Sequence, residues 1–376
     1  MGLAQLSSAA TTRDRNFDMT PRIVSLLASA TETVYALGMG RFLVGRSHEC
    51  DYPPEVKRLP VLTGPRIDVS GTSRDIDQQV REVLRRGEPV YWVNAELLRQ
   101  LRPTVIVTQE HCEVCAVSLQ DVQRAICSWE SGSTLPGAPT ASPSTAAALG
   151  EGACPMDLSL ADGSRLTHAK PSPDTPLTAM PTLPVIVTLK PHCLADVWQG
   201  MLDIGMALGV AEKAQQLVAS LQQCMHKLCA ALPADAHRPT VICLEWLDPL
   251  MSAGNWMPEL VELAGGISLL DEPGRPSTYL PYDDLRQADP EVIIILPCGW
   301  DLERTWPEIA RLERLPGWRN LYAVRHGRVY VADGNQFFNR PGPRLAESVE
   351  ILAEILHPQR LTFGYRGQAW QSVYQV

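Results

Sequence analysis

Three segments of this sequence share one local pattern, in which a proline precedes a run of apolar, mostly β-branched residues. They are Pro103-Thr-Val-Ile-Val, Pro184-Val-Ile-Val and Pro290-Glu-Val-Ile-Ile. A proline is tolerated at the first position of a strand, where its missing N–H matters little. Short apolar runs bounded by such signals are typical of strands buried in a sheet. The chain is therefore predicted to be built around buried strands.

Helix-like segments separate these strand-like segments along most of the chain. The predicted strands are Ile23–Leu26, Leu43–Gly45, Val105–Thr108, Val185–Leu189, Thr240–Leu244, Val292–Leu296 and Val329–Val331. The predicted helices are Thr31–Leu37, Glu96–Leu101, Ala195–Leu208, Ala211–Ala231, Pro258–Ala264, Pro307–Leu312 and Arg344–Leu356. This alternation predicts an α/β fold with a mostly parallel sheet.

The helix predicted from Ala211 to Ala231 has few breakers, and Pro233 follows its end. At 1.5 Å per residue it spans roughly 32 Å, enough to bridge two domains. The length of 376 residues also exceeds one ordinary core. We therefore predict two Rossmann-like α/β lobes joined by a single long helix.

The predicted boundaries follow composition. Residues 1–20 form a disordered tail, 21–210 the N-terminal lobe, 211–233 the linker helix, 234–358 the C-terminal lobe and 359–376 a C-terminal tail. Within the first lobe, residues 128–183 are rich in Pro, Ser, Thr, Ala and Gly. Such a stretch buries too little surface to offset its chain entropy, which predicts a disordered insertion.

Charge and cysteine content restrict the partners and the compartment. The formal charge of −9, from 33 basic and 42 acidic residues, argues against nucleic acid as a partner. The 10 cysteines are scattered, which favours reduced thiols. The run Arg22–Ala30 resembles a short signal peptide, but its removal would destroy the first strand, so we expect a cytoplasmic protein. We also expect a monomer.

Five motifs in this order resemble the class III periplasmic binding proteins, and most closely the cobalamin-binding proteins of ABC importers. They are Pro21-Arg-Ile-Val-Ser-Leu-x-x-Ser-x-Thr-Glu, Cys50-Asp-Tyr-Pro-Pro-Glu, Glu262-Leu-Ala-Gly-Gly, Asp289-Pro-Glu-Val-Ile and Phe338-Asn-Arg-Pro-Gly-Pro-Arg. The resemblance covers residues 21–127 and 183–358. It implies two lobes joined by one long helix, and non-catalytic binding of a corrinoid in the cleft between them.

The resemblance also implies which residues bind the ligand, because rigid aromatic faces suit a large flat ring. The candidates in the N-terminal lobe are His48 and Tyr52, and those in the C-terminal lobe are Trp246, Trp256, Trp300, Phe337 and Phe338. The alternative for each aromatic residue is ordinary core packing. No cofactor is expected, with cobalamin as the ligand itself.

Two acidic residues occupy matching places in the two predicted lobes. Glu96 lies seven residues before Pro103, and Asp283 lies seven before Pro290. In the importing relatives, carboxylates here dock onto the membrane permease, which would make a permease the second partner. The alternative is that both acids only favour the start of a helix.

The segment His111-Cys112-Glu113-Val114-Cys115 follows a buried strand. A Cys-x-x-Cys with an adjacent histidine could ligate a thiophilic metal, with His192 and Cys193 or His48 and Cys50 completing the set. Cys112 and Cys115 could instead line the cleft, or only pack. This leaves iron-siderophore, haem or zinc binding on the same fold as one alternative, and a redox or corrinoid-handling enzyme as another. Since no catalytic motif is present, we predict that the protein is not an enzyme.

Overall fold

The computed structural model describes residues 20–110, 114, 116–131, 183–233 and 235–374. Two α/β lobes follow each other along the chain, as the alternating pattern predicts. The N-terminal tail, most of the predicted insertion, and the candidates His111, Cys112 and Cys115 lie outside the described residues.

The N-terminal lobe contains a parallel four-stranded sheet in the order β2-β1-β5-β6 and a separate antiparallel pair, β3 and β4. Its strands are β1 (Ile23–Ser25), β2 (Leu43–Arg46), β3 (Thr63–Pro65), β4 (Tyr91–Val93), β5 (Val105–Gln109) and β6 (Val185–Leu189). Its helices are α1 (Ala28–Ala36), α2 (Ser73–Arg85), α3 (Ala95–Leu101), α4 (Leu119–Ser131) and α5 (Leu194–Ala207).

Both faces of this sheet are covered, because successive strand residues point to opposite sides. Val105 and Val107 join the core formed with α1 and α5, whereas Ile106 joins the core formed with α3 and α4. A sheet buried on both faces explains why its strands read as continuous apolar runs.

The C-terminal lobe contains a larger, mixed sheet. Its order is β10-β8-β7-β11-β12-β13, with β9 also pairing with β7. The strands are β7 (Thr240–Leu247), β8 (Leu250–Ser252), β9 (Ile267–Ser268), β10 (Thr278–Tyr279), β11 (Val292–Ile295), β12 (Val329–Ala332) and β13 (Trp370–Ser372). The helices after α5 are α6 (Ala211–Ala231), α7 (Met257–Leu263), α8 (Tyr282–Ala288), α9 (Leu302–Leu312), α10 (Tyr322–Arg325) and α11 (Leu345–Leu356).

Helix α6 has the predicted bounds, and it packs on both lobes. Near its start, Ala214 belongs to the N-terminal core with α1 and α5. Further along, Met225 and Leu228 belong to the C-terminal core with α7 and α11. The apolar residues of one helix are thus shared between two cores, which joins the lobes along that side.

Two details differ from the sequence prediction. Helix α9 starts at Leu302 rather than Pro307, because the Asp301 side chain accepts a hydrogen bond from the backbone N–H of Arg304 and caps the helix. Residues 359–376, set apart as a tail, contribute β13, which pairs antiparallel with β12. No helix among the described residues is long and apolar enough to cross a membrane.

Candidate functional site

The carboxyl ends of the parallel strands in the two lobes face each other across a small cavity. This is where open α/β sheets bind ligands, because strand ends and helix starts converge there. The cavity has a volume of about 80 Å³. It is lined from the N-terminal lobe by Leu27, Ala28, Ser29, Glu49, Gln109 and Pro191, and from the C-terminal lobe by Glu245, Gly254, Asn255, Trp256, Met257, Cys298, Gly299, Asn335, Asn339, Arg340 and Pro341.

This volume is below the roughly 300–1,000 Å³ of ordinary small-molecule pockets. The lobes are therefore closed, and a macrocycle could enter only if they separate. A second, open groove of about 760 Å³ runs between α5, α6 and α7. It lies away from the strand ends and contains none of the candidate ligand residues, so its size alone does not make it the site.

Arg340 crosses the cleft and joins the lobes through a buried ion-pair network. Its Nη1 lies 3.2 Å from Oε1 of Glu32 and 2.6 Å from Oδ1 of Asp51. Its Nη2 donates to the carbonyl of Glu49 at 3.3 Å and to Oδ1 of Asn335 at 2.9 Å. Three of the sequence motifs thus meet at one guanidinium group.

The pKa values of the two carboxyl groups in this network are shifted in opposite directions. Burial raises the pKa of Glu32 to about 7, although the Arg340 and Arg344 charges act against it. Burial also acts on Asp51, but the hydrogen bond and charge of Arg340 outweigh it and lower the pKa of that carboxyl. Asp51 is therefore the firmly ionised partner of Arg340, and Glu32 is the one that exchanges a proton near neutral pH.

Two carboxyl groups line the cavity itself, one from each lobe. Burial raises the pKa of Glu49 and of Glu245 to about 7. The hydroxyl of Ser277 donates to Glu245 at 2.7 Å. Together with Gln109, Asn255, Asn335 and Asn339, these groups give the closed cavity a hydrogen-bonding character.

The paired indoles of Trp246 and Trp300 lie at the edge of the cleft. Their ring centres are 5.1 Å apart, and the guanidinium carbon of Arg304 lies 4.5 Å from the Trp300 ring centre. Both residues follow directly on cavity residues, Glu245 and Gly299. The structure thus brings these two predicted ligand residues together.

The aromatic candidates Trp256, Phe337 and Phe338 belong to the core of the C-terminal lobe. Phe338 is fully buried, and Trp256 and Phe337 are also buried in the core of the C-terminal lobe. The Trp256 Nε1–H donates to the carbonyl of Phe338 at 3.0 Å, although Trp256 also lines the cavity. In this closed form Phe337 and Phe338 are core residues, which corresponds to the alternative that they only pack in the core.

Tyr52 and His48 of the N-terminal lobe are not among the residues that line the cavity. The guanidinium of Arg344 is sandwiched between the rings of Tyr52 and Phe337, at 4.4 and 4.2 Å. Nδ1 of His48 lies 2.9 Å from the Thr63 hydroxyl, and burial lowers the pKa of this imidazole to about 4. His48 is therefore neutral at physiological pH.

The matching acids Glu96 and Asp283 occupy equivalent places in the two lobes. Each is the second residue of a seven-residue helix, α3 or α8. Each helix ends at a left-handed residue, Arg102 or Asp289, just before the proline of the next strand. Both carboxylates are exposed, and among the described residues their ion pairs are with Arg99 and Arg286 of their own helices.

No group of three or more metal-ligating side chains is found in the part of the chain that the structure describes. Since Cys112 and Cys115 lie outside it, their predicted roles stay predictions. Cys127 is disulfide-bonded, so the expectation of reduced thiols is wrong at this position. Of the cysteines in the described ranges, Cys50, Cys193, Cys224, Cys229, Cys243 and Cys298 are free.

Sequence reasoning missed the residues that hold the cleft closed. Arg340 and Glu32 both lie within motifs used for the resemblance, but neither was singled out as a site residue. Both are charged residues close to apolar core positions in the sequence. This signal could have indicated a buried ion pair, because buried charges need a partner. Helix α2 was also missed, although Thr72 and Asp75 form a capping box at its start.

Comparison with known proteins identifies the fold. Residues 168–335 match the family model described as periplasmic binding protein. The periplasmic heme-binding protein RhuT from Roseiflexus sp. RS-1, in apo form, superposes with a TM-score of 0.57 at 20% identity, over 90% of this chain and 99% of that one. The periplasmic vitamin B12 binding protein BtuF of Vibrio cholerae gives a TM-score of 0.55 at 17% identity, over 89% and 96%.

The chain has the fold of the class III periplasmic binding proteins. The resemblance and the two-lobed fold predicted from the motifs are thereby confirmed. A curated relative, the uncharacterized ABC transporter substrate-binding lipoprotein YvrC of Bacillus subtilis (strain 168), is 22% identical over 342 residues, 90% of this chain and 80% of the relative.

The predicted cytoplasmic location is wrong by the same comparisons. The matching family model is that of periplasmic binding proteins, and the curated relative is a lipoprotein. Both point outside the cytoplasm. The error arose from preferring the strand interpretation of the N-terminal apolar run and taking it as evidence about location.

Proposed function

We propose that this protein is the substrate-binding component of an ABC transporter, and that it binds cobalamin or a related corrinoid between its lobes. The observation that carries the proposal is the pair of indoles, Trp246 and Trp300, beside a cavity at the facing strand ends. Binding of this kind needs no cofactor and no catalytic group. A vitamin B12-binding protein and a heme-binding protein both share the fold, so haem is the alternative ligand.

The closed cavity makes lobe opening part of the proposal. A corrin ring does not fit in about 80 Å³, so the ligand would bind an open form and place its ring against the aromatic faces at the cleft edge. The equivalent acids Glu96 and Asp283 support permease docking, because they present one carboxylate from each lobe at the same structural position.

The test is calorimetric titration with cyanocobalamin, run in parallel with haemin. We expect 1:1 binding that is weakened at least tenfold, about 1.4 kcal/mol, by Trp246→Ala, since an aromatic face is lost. Trp306→Ala is the matched control, because that indole bonds Gln371 within the C-terminal lobe. No heat with cyanocobalamin at about 100 μM, where a micromolar complex saturates, would refute corrinoid binding.

A further inference from the structure

One segment of the N-terminal lobe reaches across the cleft and lies on the C-terminal lobe. We call residues 68–85 the strap; they comprise a short loop and helix α2, and they connect β3 to β4. Ser73 Oγ donates to Oε2 of Glu308 at 2.7 Å, and Arg74 forms a bidentate ion pair with Asp248 at 2.8 and 3.2 Å. The hydroxyl of Tyr279 donates to Asp77 at 3.0 Å.

The strap covers the paired indoles, and its backbone oxygens accept hydrogen bonds from the Trp246 indole and from Arg304. The Trp246 Nε1–H donates to the carbonyl of Ser73 at 3.1 Å. Nη2 of Arg304, which stacks on Trp300, donates to the carbonyls of Val69, Ser70 and Gly71. Four carbonyl oxygens of the strap therefore converge on one aromatic and cationic surface of the other lobe.

Several of these contacts are exposed, although the Ser73–Glu308 hydrogen bond is buried. Of the thirteen residues of α2, only Ser73 and Ile76 are buried. The Arg74 side chain is 69% exposed, so its pair with Asp248 is screened by water and salt. An element with few buried apolar contacts and exposed polar ones opens locally at low free energy.

We propose that the strap occupies the ligand's own subsite, formed by Trp246, Trp300 and Arg304, and that the ligand displaces it. The inference rests on the proposed function, and it specifies the ligand chemistry: a flat ring whose rim carries carbonyl oxygens. The ring replaces the strap over the indoles, and its rim oxygens replace the strap carbonyls on Arg304 and Trp246. Amide carbonyls of a corrin and carboxylates of a porphyrin both meet this requirement.

The experiment weakens the strap without touching the subsite. Arg74→Ala removes the pair with Asp248, while Arg85→Ala is the matched control, because Arg85 pairs with Glu82 of the same helix. Hydrogen exchange of residues 68–81 is followed without ligand, and the affinities for cyanocobalamin and haemin are measured by titration.

We expect Arg74→Ala to speed exchange at residues 68–81 several-fold in the ligand-free protein and to tighten binding at least threefold, because less strap must be displaced. Ligand should also speed exchange at these residues in the unmodified protein. Tighter binding of cyanocobalamin alone assigns the rim oxygens to amides, and tighter binding of haemin alone assigns them to carboxylates. Arg85→Ala should do neither.

Two results would overturn the inference in different ways. If ligand slows exchange at residues 68–81 and Arg74→Ala weakens binding, the strap is a wall that grips the ligand and not a competitor. If Arg74→Ala speeds exchange but neither probe binds either protein, the ligand class fails and the proposed function fails with it. The titrations separate these two cases, because a probe binds in the first and neither probe binds in the second.

Discussion

Replacement of Arg340 by alanine tests whether the charge network at the cleft stabilises the closed molecule. The guanidinium is buried and bonds Glu32, Asp51, Asn335 and the Glu49 carbonyl. Removing one member of a buried ion pair destabilises proteins by roughly 3–5 kcal/mol, because the remaining charge is left uncompensated.

The lower end of that range applies here. The Asp51 side chain is 34% exposed, so water takes over part of its solvation. Glu32 is almost fully buried, but its pKa of about 7 lets it take up a proton when Arg340 is lost. We therefore expect Arg340→Ala to lower the free energy of unfolding by about 3 kcal/mol at neutral pH, or about 6 °C in Tm for a chain of this size.

The assay is urea unfolding at pH 7.5, with Arg328→Ala as control. Arg328 donates one hydrogen bond to the Leu356 carbonyl within the C-terminal lobe, so its loss should lower the unfolding free energy by only about 1 kcal/mol. The double variant with Glu32→Gln should lose less than the sum of the single variants, because the buried Glu32 carboxylate is then no longer left without its partner. Equal losses in Arg340→Ala and Arg328→Ala, or strict additivity in the double variant, would refute the reasoning.

Two further predictions concern residues lining or bordering the cleft. The pKa of Glu245 is raised from an ordinary 4.5 to about 7, so the folded form holds the extra proton and the unfolding free energy falls as pH rises from 4.5 to 7. Glu245→Gln should flatten this fall by about 1–3 kcal/mol in urea titrations at pH 5 and pH 8, and an unchanged slope would contradict it. Gly334→Ala should lower the unfolding free energy by about 1–3 kcal/mol, since a Cβ would meet the carbonyl oxygens of Leu296 and Pro297; Gly274→Ala, where space is open but φ is positive, measures the separate effect of backbone strain.

Most of the fold could be predicted because its signals are local. Helix α6 has the predicted bounds, and β6 has the predicted five residues, since apolar periodicity and flanking breakers determine both. The equivalent helices α3 and α8 were also visible, as acids at a fixed distance before a proline. Such features depend on neighbours within a few residues.

The cleft could be predicted only in part, because its contacts join distant residues. Arg340 and Glu32 are 308 positions apart, and nothing near either one indicates its partner. Helix α2 has apolar residues at helical spacing, Ile76, Val80, Val83 and Leu84, which sequence reasoning overlooked. Its contacts with the other lobe are made by polar groups of residues far away in the sequence. Whether an aromatic residue near the end of a strand faces the cleft or the core also depends on packing. Trp246 lies beside the cleft for this reason, whereas Phe338 is buried in the core.

Two of the connections between the lobes, helix α6 and the strap, lie on opposite faces of the C-terminal sheet. Helix α6 packs on the face of the C-terminal sheet that carries α7 and α11, whereas the strap contacts α9 and the neighbourhood of β8 and β10 on the other face. Contacts far from the connecting helix oppose lobe opening more effectively than the helix itself, because they are displaced further when the lobes rotate. The bonds of the strap, together with the Arg340 network, would therefore govern how often the lobes part, while the stiffness of α6 would govern how far.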